Sequence, residues 1–324
     1  MSTKQLQQLM GNQGLASAPS SFDSLMNTLF RRCAFAMVFF IFVLISYLFW
    51  SIGQEAWPAI ERFGFSFITG TEWSGAHETF GILPEIWGTL YSSLLALLIG
   101  GGLGVAVAIL LTQNFLKPVI GTYLRNLIEI LAAIPSVVYG LWGIYVLVPA
   151  IRPVSEWLHQ YFSWIPMFST EFHGPSLAPA VLVLSIMILP TVATISIDAL
   201  RRIPHRTAEA AYGLGATRYE VIRKVMLPTA SSGILAALIL GFGRALGETM
   251  ALAMLMGSSN QISLSLFAPA NTLASLMASN FPEANELEIQ SLMYAGIVLL
   301  VITFVVNILG MWVQLLTKRK FEGK

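Results

Sequence analysis

The chain has 324 residues, of which 56% are hydrophobic and 11% are charged, and its formal net charge is +1. Soluble domains carry about 25% charged residues, so this composition is atypical of them, and the distribution of the apolar residues decides the class. The near-neutral charge gives no sign of a nucleic-acid partner. The single cysteine, Cys33, excludes a disulfide within the chain.

Residues 1–30 are rich in Gln, Ser and Gly, which predicts a disordered cytoplasmic tail. The apolar run that follows starts too late and is too long for a cleaved signal peptide, and no small-residue cleavage pattern comes after it. We therefore expect a single transmembrane domain over residues 31–324.

Six long apolar runs predict membrane-spanning helices. An α-helix needs about 20 apolar residues to cross a hydrocarbon core ~30 Å thick. The runs cover residues 33–52, 87–111, 124–148, 180–200, 233–256 and 294–316. The predicted fold class is therefore an all-α polytopic membrane protein with six transmembrane helices.

The lysines and arginines predict the orientation of these helices, because loops rich in them stay on the cytoplasmic side. Of the 18 in the chain, all but Arg62, Arg152 and Arg244 fall on one side of the predicted spans. The loops on the other side are acidic, and the longest, residues 258–291, contains the apolar stretch LASLMASNF and is expected to hold short helices. Both termini are therefore expected in the cytoplasm.

The largest predicted cytoplasmic loop, residues 201–228, is expected to hold two short helices. Gly213 and Gly215 end the first, and the second runs from near Thr217 to Pro228. Two short helices at the membrane surface form a compact projection that another protein can bind, although a solvated connector fits the pattern equally well.

The same loop resembles the EAA motif of bacterial ABC importer permeases. The matching residues are Glu209, Ala210, Ala211, Gly215, Val225, Leu227 and Pro228, with Val225 where the motif has Ile. The resemblance implies a coupling loop that docks into a groove of an ATP-binding subunit. Ala210 and Ala211 would then permit close approach, and Gly215 would make the turn. Glu209 would hydrogen-bond locally or to the partner.

Small residues recur every four positions along the fifth run, at Gly233, Ala237, Gly241, Ala245, Thr249, Ala253 and Gly257. Gly243 and Gly247 add a G-x-x-x-G pair. Small residues let helices pack closely in lipid, so Gly241, Gly243 and Gly247 are predicted helix-packing positions.

Two charged residues, Arg244 and Glu248, lie near the middle of this run. A charge at the centre of a membrane helix costs at least about 2.5–3.5 kcal/mol. The two could form an i,i+4 ion pair that ties helices together. Alternatively, Arg244 could receive an anion in a polar path, with Glu248 holding it in position. We favour the second interpretation, because an isolated ion pair is an expensive way to gain structure.

Prolines within the third and fourth runs predict kinks that could line the same path. Ser136 follows Pro135, and Thr191 follows Pro190. A proline frees a carbonyl and is tolerated in a membrane helix where protein or a cavity compensates. Ser136 and Thr191 are therefore further candidates for the substrate pathway, although ordinary kinks in a packed bundle explain the prolines as well.

Two segments, LAAIPSVVYGLWG at residues 131–143 and GFGRALGETMALAM at residues 241–254, resemble the PstC family, the permease subunits of phosphate-specific ABC importers. The resemblance implies the type I ABC importer permease fold and import of inorganic phosphate by alternating access past Arg244 and Glu248. It also implies a bacterial inner-membrane location and three kinds of partner. These are a second, PstA-like permease, a PstB-like ATP-binding dimer and a PstS-like phosphate-binding protein.

The sequence contains no G-x-x-x-x-G-K-[ST] motif, no nucleophile–base set and no metal-ligand spacing among its histidines. We therefore expect no catalytic residue, no metal and no cofactor in this chain, with ATP and Mg bound by the partner ATPase. The chain would be a transport subunit in contact with membrane lipid rather than an enzyme.

The sequence leaves other functions open. The EAA spacing is shared with importers of molybdate, sulfate and phosphonate, so the identity of the anion rests on the two PstC-like segments. An anion channel or secondary transporter that works without an ATPase is a second class. A membrane sensor that signals through residues 201–228 is a third.

Overall fold

The computed structural model describes residues 21–113 and 115–322, and the side chains of residues 22–113 and 115–317. Residues 1–20 of the predicted tail lie outside this part of the chain, and residues 21–30 are helical. The chain divides into two compact units, residues 1–54 and 55–324. The described part of the first unit is one helical segment whose large apolar side chains, apart from Ile52, are exposed.

The described residues form helices and one two-stranded antiparallel sheet. The helices are α1 (Ser21–Phe63), α2 (Ser66–Thr69), α3 (Leu83–Thr112), α4 (Pro118–Ala133), α5 (Ser136–Phe162), α6 (Leu177–Arg201), α7 (His205–Gly213), α8 (Arg218–Leu246), α9 (Met250–Leu255), α10 (Leu273–Asn280) and α11 (Glu286–Glu322). The strands are β1 (Trp73–Ser74) and β2 (Thr79–Phe80). Widened π-helical turns occur within α3 at Leu97–Gly101, α5 at Gly143–Leu147 and α8 at Val221–Met226. Short 3-10 turns occur at Pro166–Phe168 and Phe281–Glu283.

Six helices of the described chain are long and apolar enough to cross a membrane: α1, α3, α5, α6, α8 and α11. The predicted all-α class and the predicted number of spans are confirmed. The third and fifth spans differ from their predicted bounds, because the chain interrupts its helical conformation in both.

The predicted third span, residues 124–148, is wrong because the chain leaves the helical conformation at Ile134 and Pro135. Ile134 has φ −69° and ψ 128°, the extended conformation that a following proline favours. α4 therefore ends at Ala133, and α5 is the helix long enough to span. Ser136 is the first residue of α5 rather than the centre of a span.

The helices over the predicted fifth span, residues 233–256, begin and end at other residues than that span. α8 begins at Arg218, after a capping box in which the side chains of Thr217 and Glu220 each accept a hydrogen bond from the other's backbone N–H. The helix does not stop at Pro228, because this proline follows a π-helical turn and enters the next regular segment in its first turn, where a missing N–H is tolerated. α8 ends at Leu246, and residues 247–249 separate it from α9.

α6 is the central helix of the second unit. In its most apolar 18-residue stretch, 67% of the residues are buried inside the protein, the largest share among the six spanning helices of the described chain. α3 packs on it through glycines: a β-carbon at Gly100 would lie 2.3 Å from the carbonyl oxygen of Ser185, and one at Gly104 would lie 2.9 Å from Cβ of Val192. The backbone of α3 therefore contacts α6 directly, as small residues permit in lipid.

A second core lies where α3 begins and α10 meets α11. Phe67 of α2 stacks on Tyr294 of α11 with ring centroids 4.4 Å apart, and Leu273 of α10 is fully buried. The N–H of Leu273 donates a hydrogen bond of 3.0 Å to Oγ1 of Thr89 in α3. The loop at residues 258–291 thus contains a short helix, as predicted, and that helix belongs to the folded core.

The small-residue face of α8 packs against α6. Ala237, Gly241 and Ala245 are buried on this face. A β-carbon at Gly241 would lie 2.7 Å from Cγ2 of Val192, a distance at which the neighbour would have to move. Gly241 therefore stands at a close helix–helix approach.

Gly243 and Gly247 have more room than Gly241. The nearest neighbouring atom to a β-carbon at Gly243 would be Oδ1 of Asn307 at 3.7 Å, and at Gly247 the carbonyl oxygen of Gly243 at 3.8 Å. Both are ordinary contact distances. Within the described residues, these two glycines do not mark a close approach of helices, and Gly247 ends α8 instead.

We expect Gly241→Ala to destabilise the protein by about 1–3 kcal/mol, because the added methyl group overpacks against Val192. Gly243→Ala, on the same helix, is the matched control and should be neutral or slightly stabilising, since alanine is the better helix former. Thermal unfolding of the purified variants, followed by tryptophan fluorescence, measures the difference. Val192→Ala should rescue Gly241→Ala, and equal stability of the two glycine variants would contradict the packing argument.

Candidate functional site

The interruption between α8 and α9 separates the two charged residues of the fifth span. Arg244 lies in the last turn of α8, which ends at Leu246 with Gly247 as its C-cap. Glu248 follows in the connection before α9. Because the chain is not helical between them, the i,i+4 geometry of the predicted ion pair does not arise.

Glu248 instead accepts a hydrogen bond from the first turn of α9. Its Oε1 accepts a hydrogen bond of 3.3 Å from the N–H of Ala251, one of the donors that has no partner within the helix. Oγ1 of Thr249 donates a hydrogen bond of 3.1 Å to the carbonyl oxygen of Gly247. The connection is therefore stabilised by its own polar side chains.

Arg244 is exposed, and its guanidinium makes one weak hydrogen bond to the described residues. Its Nη1 donates a long hydrogen bond of 3.4 Å to Oγ1 of Thr191 in α6. Arg244 forms no salt bridge with any described residue. A guanidinium carries five N–H donors, so most of them are available to a ligand. This arrangement fits a cation that receives an anion better than one half of a structural ion pair.

Tyr139 bridges the interruption between α4 and α5. Its hydroxyl donates a hydrogen bond of 2.9 Å to the carbonyl oxygen of Leu131, one of the unpaired acceptors at the end of α4. Sequence reasoning missed Tyr139, although a hydroxyl inside an apolar span and four residues after Pro135 is a signal that could have identified it.

The segments that follow the two interruptions pack against each other. A β-carbon at Gly140 would lie 2.8 Å from Sδ of Met254 and 3.3 Å from Cα of Ala251. Gly140 is four residues beyond Ser136 and Ala251 is three residues beyond Glu248. At about 1.5 Å per residue, each interruption lies within ~6 Å of this contact along its own helix.

The predicted pathway residues therefore occupy one region. Arg244 and Thr191 are hydrogen-bonded, and Glu248 lies in the adjoining connection. Ser136 is partly buried at the first residue of α5, and no hydrogen bond joins it to Arg244 among the described residues. The structure thus places Ser136 at one helix interruption and Glu248 at the other, with Arg244 one turn before the second and hydrogen-bonded to Thr191 of α6.

The predicted coupling residues lie on α7, in the turn after it and in α8. Glu209 and Ala210 are exposed on α7, whereas Ala211 is partly buried against the apolar cluster beneath, which includes Ile203, Val221 and Met226. Gly215 has φ +84°, a conformation that favours glycine, so it makes the predicted turn. Leu227 and Pro228 are partly buried in α8.

The tip of this surface segment is apolar. Leu214 is 91% exposed, and Tyr212 and Tyr219 are exposed beside it in the sequence. Apolar side chains grouped at an exposed turn are typical of a surface that contacts another protein. Docking by this segment stays a prediction, for which the exposed Leu214 offers an apolar contact.

Comparison with known proteins identifies relatives of this chain. Residues 100–323 match the family model described as a binding-protein-dependent transport system inner membrane component. The chain is 38% identical over 289 residues to the phosphate transport system permease protein PstC of Mesorhizobium japonicum, with 87% of this chain and 88% of that protein covered. It is 39% identical over 297 residues to PstC of Haemophilus influenzae, with 87% and 91% covered. It is 37% identical over 287 residues to the probable PstC of Methanocaldococcus jannaschii, with 86% and 90% covered.

Solved structures share the fold at low sequence identity. A bacterial ABC transporter involved in the import of the acidic polysaccharide alginate matches with a TM-score of 0.63 and 19% identity, over 90% of this chain and 98% of that chain. The MetNI methionine ABC transporter, in an inward-facing conformation, matches with a TM-score of 0.54 and 18% identity, over 73% and 95%. The permease fold predicted from the resemblance is confirmed. With the family match and the PstC relatives, these similarities show that the chain belongs to the family of binding-protein-dependent transport system inner membrane components.

Proposed function

We propose that this chain is the permease subunit of an ATP-driven importer that moves inorganic phosphate into the cytoplasm by alternating access. Its relatives named as PstC support the substrate, and they align over most of both chains. The observation that carries the proposal is the Arg244 guanidinium. It lies at an interruption of a spanning helix and has no carboxylate partner among the described residues.

Arg244 suits phosphate for reasons of geometry and charge. Its planar guanidinium offers two donors to two oxygens and stays protonated at any physiological pH. The hydrogen bond to Thr191 orients the side chain. Glu248 leaves the arginine unneutralised, while its negative charge limits how tightly a passing anion is held. Weak binding of this kind lets an ion enter a pathway and leave it again.

The two helix interruptions support a substrate path at this place. Non-helical backbone at membrane depth is tolerated where protein surrounds it or where it lines a water-filled cavity, and many transporters bind substrates at such breaks. Ser136 and Glu248 belong to the interruptions, and Thr191 belongs to the facing helix α6. We assign these three residues, with Arg244, to the phosphate pathway.

The surface segment from α7 to Thr217 is the proposed contact with the motor. It presents Glu209, Ala210 and the apolar tip at Leu214, so an ATP-binding subunit with an apolar groove would fit it. ATP and Mg would bind that subunit. A second, PstA-like permease would complete the pathway, and a PstS-like protein would deliver phosphate from outside. Both termini and the surface segment then face the cytoplasm of a bacterial cell, across the inner membrane.

We expect Arg244→Gln to lower phosphate uptake by about 10- to 150-fold, because a hydrogen bond to a charged group contributes about 1.5–3 kcal/mol. Arg244→Lys keeps the charge but loses the two-donor fork, so its uptake should be intermediate. Labelled phosphate uptake and phosphate-stimulated ATP hydrolysis are measured in vesicles that contain the chain and its partner subunits, with sulfate as the competing anion. Arg152→Gln, an exposed arginine outside the site, is the control. Preferential uptake of sulfate would contradict the assigned substrate, and ATP-independent uptake would contradict the importer class.

A double-mutant cycle separates the pathway role of Arg244 from a structural ion pair. Because the structure has no salt bridge between Arg244 and Glu248, the effects of Arg244→Gln and Glu248→Gln on stability should add to within about 0.5 kcal/mol. The four proteins of the cycle are compared by thermal unfolding at one pH and salt concentration. A coupling energy well above 1 kcal/mol would favour the ion pair instead.

Glu209→Lys and Leu214→Ser should each weaken association with the ATP-binding subunit and lower ATP-driven uptake, because both side chains are exposed on the surface segment. Co-purification of the subunits from membranes measures association, and the amount of inserted chain is measured in the same membranes. Glu283→Lys makes the same charge change at an exposed turn before α11 and is the matched control. Undiminished association of both variants would remove the coupling assignment.

A further inference from the structure

A small pocket lies where the end of α3, the start of α4 and the end of α6 meet. Its volume is about 250 Å³. Three cations line it, each from a different part of the chain: Lys117 precedes α4, Arg125 lies within α4, and Arg201 ends α6. Basic residues that are scattered along the sequence are therefore brought to one place by the fold.

Among the described residues, no carboxylate pairs with these cations. No described acidic residue lines the pocket, and none of the three cations forms a salt bridge with a described residue. Glu129 lies four residues after Arg125, and Asp198 lies three residues before Arg201, yet neither comes within ion-pair distance. The first turn of α4 adds the positive end of a helix dipole. The pocket therefore has a positive potential that favours an anion.

The position of the pocket along the helices selects the kind of anion. Arg201 is the last residue of the spanning helix α6, and Lys117 follows the last residue of α3 by five positions. Both therefore lie at the level of lipid headgroups, where basic pockets between helices bind anionic lipids. Leu110, Leu111 and Leu116 form an apolar wall of the same pocket. A ligand with a phosphate group and a hydrocarbon chain would contact both surfaces.

We propose that this pocket binds the headgroup phosphate of an anionic phospholipid, with Lys117, Arg125 and Arg201 as its ligands. Inorganic phosphate has the same charged group but nothing to occupy the leucine wall. Arg201 also lines a neighbouring cavity of about 470 Å³ that is bordered by Glu209 of the surface segment. A lipid bound here therefore lies next to the segment that the proposed motor contacts.

The test uses the full chain, purified with its partner subunits and placed in phosphatidylcholine nanodiscs that contain a minor fraction of phosphatidylglycerol. Native mass spectrometry counts the phosphatidylglycerol that stays bound. A variant with Lys117→Gln, Arg125→Gln and Arg201→Gln should bind it far more weakly, by roughly fivefold for each cation removed. The matched control removes the same charge, outside the proposed motor contact, with Arg32→Gln, Arg202→Gln and Arg223→Gln. These three arginines are exposed and do not line the pocket, so the control should retain the lipid.

The single variant Arg125→Gln keeps the test decisive if the triple variant fails to assemble, and its affinity should fall by roughly fivefold. Equal retention of phosphatidylglycerol by the pocket variants and the control would overturn the proposal. A second measurement decides whether the bound phosphate group belongs to a lipid or to free phosphate. The rate at which a reagent acylates the Lys117 amine is measured, and bound phosphatidylglycerol should lower this rate. Equal protection by millimolar inorganic phosphate in nanodiscs of phosphatidylcholine alone would overturn the assignment to a lipid.

Discussion

The constraint on which the site depends is that backbone polar groups inside a bilayer need partners from the protein or from water. The chain leaves the helical conformation just before the spanning helix α5 and just after the spanning helix α8, and so releases carbonyl and N–H groups at both places. The Tyr139 hydroxyl meets the carbonyl oxygen of Leu131 at one interruption, and the Glu248 carboxylate meets the N–H of Ala251 at the other. The polar side chains of the site therefore also make the interruptions tolerable.

The hydrogen bond that Glu248 makes to the start of α9 leaves the charge of Arg244 without this carboxylate as a partner. On an uninterrupted helix its carboxylate would stand one turn from Arg244 and would neutralise it. The break at Gly247 turns the carboxylate toward the start of α9 instead, and Arg244 keeps only a long hydrogen bond to Thr191. The positive charge remains unpaired among the described residues because the helix ends where it does.

The sequence predicted the parts of the fold that leave a signature in composition. Long apolar runs identified six spanning helices, and small residues at four-residue spacing identified the face of α8 that packs on α6 at Gly241. Pro135 signalled a disturbance in the third span, but a kink and a complete break look alike in one sequence. The break at Gly247 lies in a run that is apolar on both sides, so the hydropathy of the sequence predicted one continuous helix there.

Two further differences have the same origin in backbone geometry. Pro228 would end a regular helix, yet the π-helical turn before it lets α8 continue, and no residue pattern announces such a turn. Gly243 and Gly247 have the spacing of a packing motif, but spacing does not tell which face of a helix meets a neighbour and which glycine ends the helix. Tyr139 was missed because its partner, Leu131, is a backbone carbonyl that becomes available only when α4 ends.

The contact of Gly140 with Ala251 and Met254 has a mechanical consequence. A β-carbon at Gly140 would lie 3.3 Å from Cα of Ala251 and closer still to Sδ of Met254, so α5 and α9 pack tightly directly beyond the two interruptions. Any motion that draws one interruption away from the other must first separate this contact. A displacement of α9 at this contact is therefore passed on to α5, so the surroundings of Arg244 depend on both segments.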